Sequence, residues 1–297
     1  MDRNRRRQLL ALPYVAWSIL FTLIPLFVIL RYAMVDKEGH FTVSYIFAFL
    51  SSVNAKAFLI SLEIAVICTV ICVLLAYPLV MVVRRLKISR MSFMLFFLIM
   101  PMWMNFILRM LALQMILSSN GILNMLLGFL GFPPLQIANT NTAVIIGVVY
   151  DYLPFMMLPI FNTISDIGED VLEAARDLGA GPFTVFRRVI LPMSLPGLKS
   201  GITIVFVPSM TSFVIADILG GGKIQLIGNI IEQEFTRSSN WNLGSGLSVS
   251  LMLFMLISMT FTIKDEILTK RPAEEISEEE KAEPRVVGDG VSRRTVL

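Results

Sequence analysis

The stretch that decides the fold of this chain is residues 173–192, EAARDLGAGPFTVFRRVILP. It opens with Glu-Ala-Ala, has a glycine after three further residues, and reaches Val-Ile-Leu-Pro after nine more. The stretch belongs to a charged segment of about thirty residues between two long apolar runs. Charged side chains are costly in hydrocarbon, so this segment predicts a loop on one side of a membrane.

The first half of the loop has the pattern of a short amphipathic helix. Acidic residues gather at its start, where a helix N-terminus favours negative charge: Asp166, Glu169, Asp170 and Glu173. Apolar side chains follow on one predicted face: Val171, Leu172, Ala175 and Leu178. Gly179 then predicts a helix end, because the left-handed conformation required there costs glycine least.

A tight turn and a second helix are predicted for the rest of the loop. Gly181-Pro182 allows a sharp change of direction into a helical stretch, Phe183–Val189. We expect Pro192 and Pro196 to end that stretch before the next apolar run.

The composition places most of this chain in lipid. Of its 297 residues, 56% are hydrophobic and 16% are charged, whereas soluble domains average about 25% charged. The single histidine, His40, argues against a histidine-based metal site or catalytic dyad. Cys68 and Cys72 lie one helical turn apart and are predicted to be buried and unbridged. No soluble enzyme class fits, so we predict no catalytic residue, no metal, no cofactor in this chain and no nucleic-acid partner.

Six apolar runs are long enough to cross a bilayer as helices, which takes about 20 residues. They are Leu9–Leu30, Ala57–Val83, Met91–Ile116, Thr142–Thr163, Leu198–Leu219 and Leu247–Ile263. The sequence therefore predicts an all-α membrane protein with six transmembrane helices.

Lysine and arginine predict the orientation, because they concentrate on the cytoplasmic side. One side carries Arg3, Arg5, Arg6, Arg7, Arg84, Arg85, Lys87, Arg90, Arg176, Arg187, Arg188, Lys199, Lys264, Lys270 and Arg271. The other carries Arg31, Lys37, Lys56, Lys223 and Arg237, spread over three longer segments. Both termini and the charged loop are thus predicted to be cytoplasmic.

The chain divides by composition into two parts. Residues 1–271 form the predicted transmembrane domain, with the cytoplasmic loop at about residues 165–196. Residues 272–297 are rich in glutamate and poor in apolar side chains. Such a segment cannot bury enough apolar surface to fold, so it is predicted to be a disordered acidic tail.

The spacing of residues 173–192 resembles the EAA loop of permease subunits in bacterial ABC importers. The family usually has isoleucine where this chain has Val189, a change that keeps an apolar contact. The resemblance implies the type I ABC importer permease fold and a loop that docks in a cleft of the ATP-hydrolysing subunit. The residues that it assigns to ATPase coupling are Glu173, Ala174, Ala175, Asp177, Gly179, Leu191 and Pro192.

Four further segments resemble permeases of spermidine/putrescine importers: Pro101–Arg109, Ser118–Gly121, Leu153–Met156 and Asp217–Gly221. The likeness extends over about residues 13–263. It implies an inner-membrane location, a second permease subunit of similar fold, an ATPase dimer and an extracytoplasmic polyamine-binding protein. The chain lacks a phosphate-binding loop, and Gly220–Lys223 does not have the required spacing. ATP is therefore expected to bind the partner subunit.

Polar residues inside the spans suggest a path for the substrate. A polyamine is a flexible polycation, which carboxylates and aromatic faces can bind. Asp217 is the first candidate, followed by Trp103, Tyr150 and Asp151. The alternative is that these residues brace helix packing or lie at the membrane interface. Arg109 would repel a polycation, so we expect it to form an internal ion pair.

Two other functions remain open from the residues alone. The chain could belong to an importer of another small solute, such as an amino acid or an iron complex. It could also be a membrane scaffold or sensor subunit that transports nothing. Copurification of an ATPase separates the scaffold from both kinds of importer.

The charge asymmetry predicts which sites a membrane-impermeant thiol reagent reaches. Cysteines introduced at Ser51 or Ser238 should react in intact cells, and cysteines at Ser89 or Ser277 only after the membrane is opened. The parent chain, with Cys68 and Cys72 alone, measures the background. Labelling of the Ser89 variant in intact cells would reverse the orientation.

Overall fold

The computed structural model describes residues 13–84 and 100–260. Every regular element within them is helical, apart from one isolated antiparallel bridge between Val35 and Phe41. The chain divides into two compact units, residues 1–256 and 257–297. The described part of the second unit, residues 257–260, is helical.

Eleven helices of the described ranges, α1–α11 in chain order, form the framework of the fold. They are α1 Pro13–Met34, α2 Ser52–Arg84, α3 Phe106–Leu117, α4 Ile122–Phe129, α5 Asn141–Ser165, α6 Glu169–Asp177, α7 Pro182–Met193, α8 Leu195–Met210, α9 Phe213–Leu219, α10 Ile227–Thr236 and α11 Trp241–Thr260. Shorter helical turns, Ser44–Phe47, Ala48–Leu50 and Met100–Trp103, lie in the connections.

The predicted all-α membrane architecture is confirmed. Five helical segments of the described ranges are long and apolar enough to cross a bilayer, namely α1, α2, Phe106–Phe129, α5 and α11. The pair α7 and α8, bent by 67°, supplies a sixth span if it is counted as one. Several predictions lie outside the described residues: the N-terminal arginines, the basic residues 85–90, the domain boundary at 271/272 and the acidic tail.

The third predicted span is interrupted. The helical turn Met100–Trp103 ends first, and α3 begins only at Phe106. Asn105 caps this new start, since its Oδ1 accepts the backbone N–H groups of Ile107 at 3.0 Å and Leu108 at 3.2 Å. The predicted continuity from residue 91 is therefore wrong at residues 104–105, because an asparagine cap opens a helix.

The fifth predicted span, Leu198–Leu219, is also broken. Helix α8 ends at Met210, and α9 starts only at Phe213. Pro208 cannot donate an N–H, and the hydroxyls of Thr211 and Ser212 both donate to its carbonyl, at 3.2 Å and 2.8 Å. The side chains thus supply hydrogen bonds at the break.

The core consists of α2, α5 and α8, which pack against one another. Small side chains allow α2 and α5 to approach closely. Cys68 and Cys72 are fully buried, and their Sγ atoms lie 3.8 Å and 3.9 Å from the carbonyl oxygens of Ile145 and Val149. Within the described structure neither cysteine is bridged, as predicted. Each thiol therefore acts as a small packing residue between two helix backbones.

Glycines bring α8 equally close to α5. A Cβ on Gly201 would lie 2.7 Å from Sδ of Met156 and 3.3 Å from its carbonyl oxygen. A Cβ on Gly197 would clash with the carbonyl oxygen of Pro159 and the hydroxyl of Thr163. This pair is the small-residue contact expected at a tight helix crossing.

Hydrogen bonds tie the C-terminal end of α1, and the hairpin that follows it, to α11. Asn242 donates from Nδ2 to the carbonyls of Tyr32 and Val35, at 3.1 Å and 2.6 Å. The Tyr45 hydroxyl donates to Oδ1 of Asp36 at 2.5 Å, which lowers the pKa of Asp36 and raises that of Tyr45. Both ends of the hairpin are therefore held by side-chain hydrogen bonds.

Candidate functional site

Helix α6 and its C-terminal turn have the geometry that residues 173–192 predict. Glu169 and Asp170 lie in its first turn. At its end, Gly179 has a φ of +79° and donates to the carbonyl of Arg176 at 2.8 Å. Ala180 donates to the carbonyl of Ala175 at 3.1 Å, which completes a Schellman motif. The predicted role of Gly179 as the helix end is confirmed.

The two sides of α6 have different surroundings. Leu172 is buried in the main core, and Ala175 packs against the same core. Leu178, predicted on the same face, is 89% exposed because it follows the last helical residue and the turn carries it outward. Glu173 and Asp177 are also exposed. The helix is therefore fixed along one side and presents charged and apolar side chains on the other.

Helix α7 is longer than predicted. It runs from Pro182 through a π turn, Phe186–Ile190, to Met193, so the expectation that Pro192 ends it is wrong. Pro192 is tolerated because it lies in the first turn of the three-residue α-helical segment after the π turn, where a missing N–H costs little. Leu191 packs against the core, and Pro192 is exposed.

Three contacts of Arg84 and Tyr77 fix the loop to α2. Nη2 of Arg84 donates to the carbonyl of Ile167 at 2.7 Å, just before α6. Buried Tyr77 and Ser194 share a hydrogen bond of 2.9 Å at the bend between α7 and α8. The ring of Tyr77 also meets Phe186 edge-on, with centroids 5.6 Å apart. Helices α6 and α7 are thereby held to the end of α2.

A second group of polar residues surrounds Arg109 of α3. Its Nη2 contacts Oδ1 of Asp151 on α5, and its Nη1 donates to the carbonyl of Pro101 at 3.1 Å. Arg109 and Asp151 are each 8% exposed. The guanidinium also lies 5.8 Å from the ring centroid of Tyr150. The predicted internal ion pair of Arg109 is confirmed.

The four predicted substrate-path residues do not form one cluster around Arg109. Asp151 and Tyr150 contact it directly, while Trp103 is 80% exposed on the helical turn that begins beside Pro101. Asp217 lies apart from that ion pair, exposed on α9, which packs against α3, α5 and α10. Their role in a substrate path stays a prediction.

Asn229 positions Asp217 and was not singled out from the sequence. It is 1% exposed on α10, and its Nδ2 donates to Oδ1 of Asp217 at 2.7 Å and to the carbonyl of Phe213 at 3.2 Å. Its Oδ1 accepts the N–H of Leu226 at 3.0 Å, which closes the start of the helix. The only local signal in the sequence was that the polar amide of Asn229 comes three residues after Leu226, in a short apolar stretch.

A family model describes most of the chain. Residues 66–271 match the binding-protein-dependent transport system inner membrane component. The spermidine/putrescine transport system permease protein PotB of Haemophilus influenzae is 36% identical over 267 residues, which cover 87% of this chain and 93% of that protein. PotB of Escherichia coli is 34% identical over 86% of this chain and 97% of its own length.

A more distant relative and a solved structure extend the comparison. The inner membrane ABC transporter permease protein YdcU of Escherichia coli is 26% identical over 74% of this chain and 74% of its own length. A chain in the crystal structure of a bacterial alginate ABC transporter, in complex with an alginate pentasaccharide-bound periplasmic protein, superposes with a TM-score of 0.75. It covers 88% of this chain at 14% identity, so this likeness concerns the fold alone.

The buried ion pair predicts a non-additive effect on stability. Arg109→Gln or Asp151→Asn alone leaves an unpaired buried charge and should destabilise the protein by about 3–5 kcal/mol. The double variant removes both charges and should recover much of that loss. Each variant is purified in detergent and heated, and size-exclusion chromatography then measures the fraction that remains folded. This gives the stability of the two single variants and of the double variant. Additive losses in the double variant would contradict a direct pair.

Proposed function

Because this chain belongs to the family of inner membrane components of binding-protein-dependent transport systems, we propose that it is a permease subunit that carries spermidine and putrescine across the inner membrane. The proposal on the substrate rests on the PotB relatives, which match along most of their length. The observation that carries the transport mechanism is the helix α6, fixed to the core on one side and exposed on the other.

In this proposal α6 is the coupling helix that docks on an ATPase. Its exposed residues Glu173, Ala174 and Asp177 would contact that subunit, and Gly179 sets the direction of the turn that follows. Ala175 and Leu191 would transmit the contact inward, since both pack against the core. Pro192 is exposed and is the last of the residues proposed for ATPase coupling.

Transport would proceed by alternating access. ATP binds and is hydrolysed on a dimer of ATPase subunits, whose closure pulls on α6. The Arg84 and Tyr77 hydrogen bonds join this helix and α7 to α2, so a pull on the loop reaches the spans as one movement. A helix that slid freely on the core would lose this displacement before it reached the pore.

The complex would contain further subunits. A second permease of similar fold completes the pore in the surrounding lipid, and an extracytoplasmic polyamine-binding protein delivers the substrate to its outer side. Both termini and α6 lie in the cytoplasm in this arrangement, as the lysine and arginine distribution predicts.

The substrate path is proposed to begin at Asp217 and to pass Trp103, Tyr150 and Asp151. Asp217 is exposed on α9, in the second part of the broken fifth span. Asp151 is already paired with Arg109, so a cation that reaches it would have to compete with that guanidinium.

The coupling role of Gly179 is tested in proteoliposomes that contain the whole complex. Gly179→Val should abolish uptake of labelled spermidine, because a β-branched residue is strained at a φ of +79°. Gly179→Asn should retain uptake, since asparagine tolerates this conformation. Gly181→Val is the matched control, because Gly181 has a φ of −68° and no described atom lies within 4 Å of its added Cβ.

The wild-type complex decides between transport classes in the same assay. Competition by putrescine but not by amino acids or iron complexes supports the proposed substrate. If no ATPase copurifies with the chain, the chain would be a scaffold.

Equal uptake and ATP hydrolysis in Gly179→Val and wild type would refute the coupling role of Gly179.

The charge of Asp217 is tested by Asp217→Asn, which keeps an oxygen that can accept the Asn229 hydrogen bond. We expect severalfold slower spermidine uptake at normal membrane abundance and normal ATPase association. Glu38→Gln is the control, since it removes a carboxylate from the exposed hairpin after α1. Unchanged uptake in Asp217→Asn at all spermidine concentrations would remove this residue from the path.

A further inference from the structure

A cavity of about 380 Å³ opens at the break in the fifth span. Its lining comes from three places in the chain: the break, α10 and α11. The lining residues are Thr211, Phe213, Gly228, Ile231, Glu232, Ser248 and Leu251. The volume lies in the range of about 300–1,000 Å³ that small-molecule sites occupy. Interrupted helices form the substrate sites of many membrane transporters.

Close packing of α10 against the break gives this cavity its shape. A Cβ on Gly228 would lie 3.0 Å from the carbonyl oxygen of Thr211 and 3.3 Å from its Cα. Because Gly228 carries no side chain, the next turn of α10 is brought to the cavity wall. Glu232 follows there, one turn beyond Gly228.

Glu232 supplies the one carboxylate among the residues that line the cavity. Oε1 of Glu232 accepts a hydrogen bond of 2.8 Å from the neutral hydroxyl of Thr236. Within the described ranges, the ion pairs below 4.0 Å are Glu38 with His40 and Arg109 with Asp151, so Glu232 has no cationic partner there. A half-buried carboxylate with no cationic group within 4.0 Å favours the arrival of a cation.

Two hydroxyls in the lining can assist that cation. The Thr211 hydroxyl donates to the carbonyl of Pro208 at 3.2 Å, and the Ser248 hydroxyl donates to the carbonyl of Gly244 at 2.8 Å. Since their protons are engaged, their oxygens are oriented as acceptors. An ammonium group has three donors and no acceptor, which matches one carboxylate and two hydroxyl oxygens.

The rest of the lining is apolar. Phe213, Ile231 and Leu251 offer an aromatic face and two aliphatic side chains. A polyamine alternates ammonium groups with methylene chains, so it needs both kinds of surface in one site. The aromatic ring can also attract the cation through its π face. An anionic or neutral sugar would leave the Glu232 carboxylate uncompensated.

We propose that this cavity is a polyamine site in which Glu232 binds an ammonium group of the substrate. The inference rests on the proposed function and adds a residue that the apolar runs of the sequence do not reveal. Glu232 lies near Asp217, whose electrostatic environment it shares with Arg237. A substrate released at Asp217 would therefore meet the second carboxylate on α10.

The test uses the complete complex in proteoliposomes with saturating spermidine-loaded binding protein. Glu232→Gln keeps the size of the side chain and removes its charge. We expect the maximal uptake rate to fall about tenfold, which corresponds to ~1.4 kcal/mol. The spermidine concentration that gives half-maximal uptake should not change, because the affinity of the binding protein determines it. Glu232→Asp retains the charge and should restore most of the rate.

The matched control is Glu234→Gln on the same helix, two residues along and outside the cavity lining. It should transport at the wild-type rate. A wild-type complex that takes up no spermidine would overturn the proposed function and this site with it. Normal wild-type uptake with an unchanged rate in Glu232→Gln would overturn the site alone. If Glu232→Gln fails to assemble, Ser248→Ala replaces it, and an unchanged rate in that variant overturns the site.

Discussion

Close contact between helix backbones is the constraint on which the rest of this protein depends. In a bilayer, lipid tails are as apolar as the side chains that they meet, so burial of leucines alone does not bring helices together. Here cysteine thiols lie between α2 and α5, and glycines lie between α5 and α8. These contacts place three helices at fixed distances and leave little room for one to slide past another. The irregular parts of the fold lie at the two ends of this packed centre.

The two ends differ in how they are built. At the end that carries α6, hydrogen bonds from Arg84 and Tyr77 tie the loop to α2, so the loop follows the core. At the other end, the break after Met210 and the approach of Gly228 leave a space lined by hydroxyls and one carboxylate. A stiff connection on one side and an opening on the other suit the proposed permease, in which force enters at the first and substrate at the second.

Local signals in the sequence were sufficient for some of these features and insufficient for others. Gly179 was predictable because a helix end is encoded within a few residues. The pairing of Arg109 could be expected from the cost of its charge, but its partner lies 42 residues away. The break at residues 211–212 was missed because proline is common in membrane helices and Pro208 alone does not indicate an interruption. Glu232 was missed because it lies outside every apolar run, in a segment that could be taken for an ordinary outer loop.

The hydrogen bonds of Asn242 to the carbonyls of Tyr32 and Val35 also affect the order in which the protein folds during synthesis. The two hydrogen bonds close a loop of 210 and 207 residues. At a synthesis rate of roughly 5–20 residues per second, the asparagine emerges from the ribosome some 10–40 s after the backbone that it holds. Throughout that interval the C-terminal end of α1 lacks this anchor. Helix α1 must therefore keep its place in the membrane through its own hydrophobicity until α11 arrives, and the closing step of assembly is the meeting of the two.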